Sequence, residues 1–136
     1  MFLIVCLDEQ NGMLFNKRRQ SMDKVVRERI VNLCGHRPLW MNSYSASQFT
    51  ERLSNFHIAE DFLDQAGTGS YCFVENEDVA PVSDRVEGIV LFRWNRRYPA
   101  DVTFPVEQFC HRWRLNSTED FAGSSHERIT QEVYLL

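Results

Sequence analysis

Residues 2–7 read FLIVCL, six apolar positions in a row. A run of this length that is apolar on both faces is typical of a strand buried in the middle of a sheet. No basic region precedes it, and it is too short for a signal peptide or a membrane span. The sequence therefore predicts a central strand here, and we expect the rest of the chain to be built around it.

Outward from this run, helical and strand patterns alternate. From residue 21 the apolar spacing predicts a helix that Ser21 caps and Gly35 ends. Its inward stripe is predicted to consist of Met22, Val25, Val26, Ile30 and Leu33. The other predicted elements are helices over 46–54 and 60–66, buried strands over 39–41, 71–74 and 89–94, and alternating strands over 102–104, 112–116 and 129–135.

This order of elements predicts the fold class. Strands that alternate with helices and then give way to a β-rich end indicate an α/β domain, with a mostly parallel central sheet finished by antiparallel strands. The chain of 136 residues has no internal repeat or linker, so a single domain over 1–136 is expected. Hydrophobic residues at 43% and charged residues at 25% are ordinary for a folded globular protein.

Charge and metal-ligating residues limit the possible partners. The net charge of −4 argues against bulk nucleic-acid binding, because phosphate-reading domains normally carry a basic excess. The cysteines are far apart and predict buried free thiols in a reducing cytoplasm, and the scattered histidines predict no metal site. These residues are Cys6, Cys34, Cys72 and Cys110, and His36, His57, His111 and His126.

Several segments, in order along the chain, resemble dihydrofolate reductases. Residues 100–105, ADVTFP, are similar to the family's GDTFFP segment, and Trp113, the acidic pair at 119–120 and the closing EVY follow as they do there. Near the other end, residues 2–7 and 11–16 (NGMLFN) resemble the first strand and the N-G-x-x-P-W loop. Residues 35–42 (GHRPLWMN) resemble the GKPVIMGR segment, and 71–74 with 84–86 resemble the FVIGG…ADRL stretch.

The resemblance implies a dihydrofolate reductase-like three-layer sandwich, shortened in the middle, and it places a ligand cleft. The family's catalytic acid, a carboxylate in an apolar pocket, falls on Gln20, which cannot titrate. Asp23 lies one helical turn further on and is the alternative acid, unless it only complements the helix dipole. The candidate ligand-binding residues are Leu14, Phe15, Asn16, Arg19, Met41 and Phe92, where Phe92 takes the position of a threonine that supports the acid.

The family's cofactor elements are changed or missing. Paired glycines that let a backbone approach a pyrophosphate are replaced by residues 75–78, ENED, whose three carboxylates would repel it. The GRKT segment reads NSYS at 42–45, without a base, and the chain before residue 71 is too short for the usual pair of strands. No cofactor is therefore expected, or NADPH if the chain is a divergent reductase.

Three hypotheses follow for function. The leading one is a degenerate reductase-like protein that lacks ordinary NADPH-dependent reduction of dihydrofolate and binds a small aromatic or anionic ligand in the old cleft. The alternatives are a divergent NADPH-dependent pterin reductase and an RNA or protein interaction module. The module would use the basic clusters at 17–19 and 93–98, which otherwise are a solvated loop and the end of a strand. Residues 124–126, SSH, are discounted as a nucleophile and expected in a surface hairpin.

Overall fold

The structure is a computed structural model that describes residues 1–110 and 113–135. Its helices are α1 (Lys24–Cys34), α2 (Ser43–Ala46), α3 (Phe62–Gln65) and α4 (Val106–Cys110), and Ala80–Arg85 form a 3₁₀ helix. Its strands are β1 (Phe2–Leu7), β2 (Gly12–Phe15), β3 (Arg18–Arg19), β4 (Leu39–Met41), β5 (Phe56–Ile58), β6 (Tyr71–Phe73), β7 (Gly88–Arg93), β8 (Val102–Thr103), β9 (Arg114–Phe121) and β10 (Ile129–Leu135).

Within the described residues, seven strands form one mixed sheet in the order β5-β4-β6-β1-β7-β10-β9. β1 lies between β6 and β7 and is parallel to both, while β10 is antiparallel to β7 and to β9. This confirms the prediction of an α/β fold whose mostly parallel sheet ends in antiparallel strands. The strands β3, β2 and β8 form a separate small sheet.

The run FLIVCL is buried from both sides, as its composition predicts. Alternate residues Leu3, Val5 and Leu7 belong to one apolar cluster, and Ile4 belongs to another on the opposite face of the sheet. Each fully buried side chain of this size contributes roughly 1.5–3 kcal/mol relative to exposure. The cluster around Ile4 is covered by α1 through Val26, Ile30 and Cys34, and the cluster around Leu3 by Phe62, Val82 and Phe109.

The start of α1 differs from the prediction. Ser21 is not the cap; the N-cap is Asp23, whose Oδ1 accepts a hydrogen bond from the Val26 N–H at 3.0 Å. Met22 precedes the helix and is half exposed, so it is not part of the inward stripe. The end is as expected, since Gly35 adopts φ 57° and its N–H donates to the Val31 carbonyl.

The middle of the chain was less well predicted. The expected helix over 46–54 is wrong, because α2 ends at Ala46 and an unpredicted strand, β5, follows it. Phe49 is buried between the edges of Phe56 and Phe73, so tertiary packing and not helical periodicity fixes this segment. The helix expected over 60–66 is reduced to the single turn of α3.

The small sheet contains β2 and β3, in a region where the sequence predicted no strand. Asn16 and Lys17 have φ of 51° and 64°, and they link β2 to β3 as a two-residue hairpin of the primed type. The predicted strand over 102–104 is β8, which pairs with β2 and not with the large sheet. Arg112, with which another predicted strand begins, and His111 lie outside the described residues.

The thiols agree with the prediction where they are described. Cys34 and Cys72 are buried and free, and Cys6 is free and partly buried. Burial raises the pKa of Cys34 and Cys72 to about 12, with a smaller effect of neighbouring charges. The side chain of Cys110 lies outside the described part of the structure.

Candidate functional site

A cavity of about 480 Å³ forms an open cleft between the β2–β3 hairpin and the loop after β7. We call it the outer cleft; its walls are Phe15, Asn16, Arg18, Arg19, Gln20, Tyr98 and Pro99. Its volume is that of a site for a small organic molecule. Phe15, Asn16, Arg19 and Gln20, all candidates from the sequence, therefore line one cavity.

The outer cleft brings together residues from the two basic clusters that are far apart in the sequence, and the second cluster contributes Tyr98 and not its arginines. Arg18 and Arg19 stand on one wall, and Tyr98 from the second segment stands on the other. Arg18 is exposed and has no ion-pair partner among the described residues. Phe15 is 45% exposed, so an aromatic face is open beside this cation. A positive charge and aromatic rings that line the same cleft suit a flat ligand that carries a negative charge.

Arg19, by contrast, is fully engaged within the protein. Its Nε and Nη2 donate to the two carboxylate oxygens of Glu75 at 2.9 and 3.1 Å, and Nη2 also donates to the Tyr44 carbonyl. The guanidinium lies over the Tyr44 ring, 4.2 Å from its centre. Glu75 accepts a further hydrogen bond from Gln48. Arg19 is therefore a structural link, and Arg18 is the cation that the cleft offers to a ligand.

A second, inner crevice adjoins the outer cleft at Arg19 and Gln20, at the carboxyl ends of β1, β6 and β7. Ligands of open parallel sheets usually bind at such strand ends. Here the free volume is only about 10 Å³, at most the size of a water molecule. Burial raises the pKa of Cys6, which lines the crevice, and Glu75 acts in the same direction. The crevice is thus filled by the protein's own side chains.

Gln20 and Asp23, the two candidates for a catalytic acid, are both hydrogen-bonded to other groups of the protein. Gln20 Nε2 donates to the buried Asp8 at 2.9 Å. Asp23 is only 2% exposed and lines none of the described cavities. Burial raises the pKa of Asp23, but hydrogen bonds from Ser125 and Val26 outweigh it and lower the pKa to about 2. This geometry favours the interpretation of Asp23 as a helix cap over that of a proton donor.

A chain of hydrogen bonds joins the outer cleft to Asp23. The Tyr98 hydroxyl lies 2.6 Å from His126 Nε2, and His126 Nδ1 lies 2.6 Å from Ser125 Oγ. Ser125 in turn donates from both its backbone N–H and its hydroxyl to Asp23 Oδ2, each at 2.7 Å. His126 also stacks on Trp94 at 4.9 Å. We call these four residues (Tyr98, His126, Ser125 and Asp23) the relay.

Residues 124–126 lie in the loop that joins β9 to β10, as expected of a hairpin, and Ser124 and Ser125 are exposed. His126 departs from the expectation of a surface position, because it is only 6% exposed. Burial lowers the pKa of His126, the positive charge of Arg96 lowers it further, and Asp23 acts in the opposite direction. Its imidazole is thus favoured in the neutral form.

The remaining candidates for ligand contact are dispersed. Met41 and Phe92 are completely buried in the apolar cluster beneath α1 and line none of the described cavities. Leu14 is buried too and lies in a different depression of about 300 Å³, between β2, β8 and the segment after β6. In this structure Met41 and Phe92 act as core residues, so the outer cleft depends on the hairpin and not on the sheet interior.

The acidic segment 75–78 is internally hydrogen-bonded. Glu75 is neutralised by Arg19, Glu77 accepts from Asn42 Nδ2 at 3.1 Å, and Asp78 accepts from the Ala80 N–H at the start of the 3₁₀ helix. Of the three carboxylates in this segment, Glu75 is therefore paired with a cation, whereas Glu77 accepts from an amide and Asp78 from a backbone N–H. Asn42 itself caps α2.

Three contributors were missed by the sequence analysis. Asp8 holds the turn after β1 by accepting from the N–H groups of Gln10 and Gly12 at 2.7 Å. The Tyr44 carbonyl accepts a hydrogen bond from Arg19, and the Tyr44 ring lies beneath the guanidinium. Nothing in the sequence around Tyr44 indicates this contact. The sequence shows His126 next to a serine, but it does not show that His126 is buried. The burial involves stacking on Trp94, which directly follows β7 and is distant in the sequence.

No helix in the described ranges combines the length and the apolar character that a membrane crossing requires. Among residues 1–110 and 113–135, no group of three or more His, Cys, Asp or Glu side chains is arranged to hold a metal ion. A scan against models of known protein families finds no match for this chain, and a search of curated proteins also finds none.

Proposed function

We propose that this chain is a dihydrofolate reductase-like protein that binds a small aromatic anion in the outer cleft and does not catalyse NADPH-dependent reduction. The observation that carries the proposal is that one cavity is lined by a cation and by two aromatic rings from distant parts of the chain. Arg18 supplies the cation, which has no ion pair among the described residues, and Phe15 and Tyr98 supply the aromatic surface. A planar ring with a carboxylate or phosphate matches this combination.

The fold assignment in this proposal is supported by the strand order. β1 is central, and the chain ends in the antiparallel pair β9 and β10, as the resemblance implies. Short segments that resemble the family, such as residues 11–16 and 100–105, lie in β2 and β8 and pair with each other in the small sheet. Their order and their pairing are both consistent with a shared ancestry.

The loss of reductase chemistry is supported by the inner crevice and by Asp23. The crevice at the strand ends has no room for a nicotinamide ring, because Arg19 and Glu75 fill it. Asp23 has a pKa of about 2 and is enclosed by the loop that carries Ser125. A general acid works best with a pKa near the operating pH, so this carboxylate is a poor proton donor.

The proposal is tested by titration of ¹⁵N-labelled protein with pterin-6-carboxylate, followed by ¹H–¹⁵N NMR. We expect shifts at Phe15, Arg18 and Tyr98, with a Kd that rises with salt because the contact is partly ionic. Arg18→Gln is expected to weaken binding at least fivefold. The matched control is Arg114→Gln, which removes the same charge from the exposed edge strand β9.

Other outcomes separate the rival functions. Micromolar binding of NADPH with turnover of dihydrofolate would establish the divergent reductase and overturn the proposal. If Arg18→Gln and Arg114→Gln weaken the binding of pterin-6-carboxylate equally, the ligand does not bind in the outer cleft. Salt-sensitive retention of a short single-stranded RNA, without pterin-6-carboxylate binding, would favour the interaction module.

A further inference from the structure

The hydrogen bonds of the relay all donate in one direction, and the charge of Asp23 determines that direction. The Asp23 carboxylate already accepts from the Val26 N–H on one oxygen and from the Ser125 N–H on the other. These hydrogen bonds keep it ionised, so it has no hydrogen to give. Ser125 Oγ lies 2.7 Å from Oδ2, a separation at which two oxygens need a hydrogen between them. The serine hydroxyl therefore donates to Asp23.

This donation determines the tautomer of His126. A serine hydroxyl has one hydrogen, which Asp23 receives, so at the 2.6 Å contact with His126 Nδ1 the oxygen must accept. Nδ1 is then the protonated nitrogen of the imidazole. In the neutral ring Nε2 holds only a lone pair, and the Tyr98 hydroxyl, 2.6 Å away, donates to it.

We infer that the outer cleft selects an aromatic anion that carries an N–H or O–H donor. The reason is that Tyr98 gives its only hydroxyl hydrogen to His126, so in the cleft its oxygen can act only as an acceptor. The inference rests on the proposed binding role of the cleft. Arg18 takes the anionic group, and the tyrosine oxygen takes the donor. A ligand that places an acceptor there leaves two lone-pair groups facing each other, and we expect it to bind roughly tenfold more weakly.

Two probes of the same shape test the selection. 4-Aminobenzoate and 4-nitrobenzoate share a ring and a carboxylate, but the amino group donates and the nitro group only accepts. In the unaltered protein, NMR titration is expected to give a Kd about tenfold lower for 4-aminobenzoate. Equal affinities, or tighter binding of 4-nitrobenzoate, would overturn the inference.

Substitution of Ser125 tests the role of the relay. In Ser125→Ala the Nδ1 hydrogen loses its acceptor, so the ring can place the hydrogen on Nε2 and Tyr98 becomes free to donate. The preference for 4-aminobenzoate should then disappear. The matched control is Ser124→Ala, because the Ser124 hydroxyl accepts from the Lys24 N–H and is outside the relay. It should retain the preference, and its loss in this control would count against the relay.

The tautomer of His126 is measured without any ligand. Long-range ¹H–¹⁵N NMR of the imidazole is expected to show hydrogen on Nδ1 and a bare Nε2, and the reverse pattern would overturn the inference even if both probes bind. Arg18→Gln should weaken both probes equally and keep their ratio. If neither probe nor pterin-6-carboxylate binds, the proposed function fails and the selection fails with it, whatever the tautomer.

Discussion

At the scale of the residue, Asp23 joins segments that are distant in the sequence. One oxygen caps α1, and the other receives both the backbone and the side chain of Ser125, from the loop between β9 and β10. The same carboxylate was a candidate acid on sequence grounds. Its burial and its saturated hydrogen bonds give it a different use, which is to hold this loop against the start of the helix.

Asp23→Asn is expected to lower the free energy of unfolding by roughly 2 kcal/mol at pH 7, since the folded pKa of about 2 lies below the usual 3.8. That stabilisation is present above pH 3.8 and is lost as the pH falls towards 2. Urea denaturation at several pH values measures it. Asp84→Asn, at an exposed position, is the control and should change little. A variant that remained as stable as the parent at pH 7 would contradict the cap.

His126 gives a separate pH dependence. Because burial lowers its pKa in the folded state, the unfolded chain takes up a proton more readily. Stability should therefore fall as the pH drops through about 6.5, the ordinary value for histidine. Urea unfolding between pH 7.5 and 5 measures this slope, and His126→Gln, which does not titrate, should flatten it. An unchanged slope in the variant would assign the effect to other groups.

At the scale of the element, the β9–β10 hairpin depends on close approach to α1. A Cβ added at Gly123 would lie 2.4 Å from Asp23 Oδ2 and 2.5 Å from Ile129 Cδ1. Both neighbours are buried, so neither can move without disturbing the cap or the sheet. The hairpin and the helix are therefore fitted to each other through one glycine.

Gly123→Ala should destabilise the protein by about 1–3 kcal/mol, the usual cost of overpacking. Gly67→Ala is the control, because a Cβ there meets nothing within 4 Å and the backbone is not in the left-handed region. Thermal unfolding of the two variants gives the comparison. Equal melting temperatures would show that the loop can adjust, and would weaken the case for a fitted contact.

Elements that carry their own pattern were predicted from the sequence, and those set by distant contacts were not. β1 is apolar throughout, and α1 has a stripe and a terminal glycine, so both were found. β5 is only three residues long and is defined by its pairing with β4, so the local sequence carries no pattern that predicts it. The hairpin of β2 and β3 was hidden because Asn16 and Lys17 adopt positive φ without a glycine.

At the scale of the whole molecule, the small sheet is attached to the large one through Arg19 and Glu75. Arg19 lies on β3, and Glu75 follows β6. Both residues are candidates from the sequence, but separately, Arg19 as a ligand contact and Glu75 as a repulsive charge. Their pairing could not be predicted, because it depends on how the hairpin folds back over the strand ends.

A double-mutant cycle measures this attachment. Arg19→Met or Glu75→Gln alone should cost about 3 kcal/mol, since each leaves a largely buried partner unpaired. The double variant should lose clearly less than the sum of the two. The exposed pair Arg128 and Asp120, 3.6 Å apart, is the control and should show a coupling below about 1 kcal/mol. Additive losses at Arg19 and Glu75 would show that the two sheets are held together by other contacts.

The central place of β1 also has a consequence for biosynthesis. Phe2 pairs with Tyr71 on one side and with Gly88 on the other, so neither partner strand exists when FLIVCL leaves the ribosome. An uncharged, strand-forming run without partners is prone to aggregation. The segment therefore stays without its partner strands until β7 is synthesised, and slow translation of residues 8–93 is expected to lengthen the time for which it is exposed to other polypeptides.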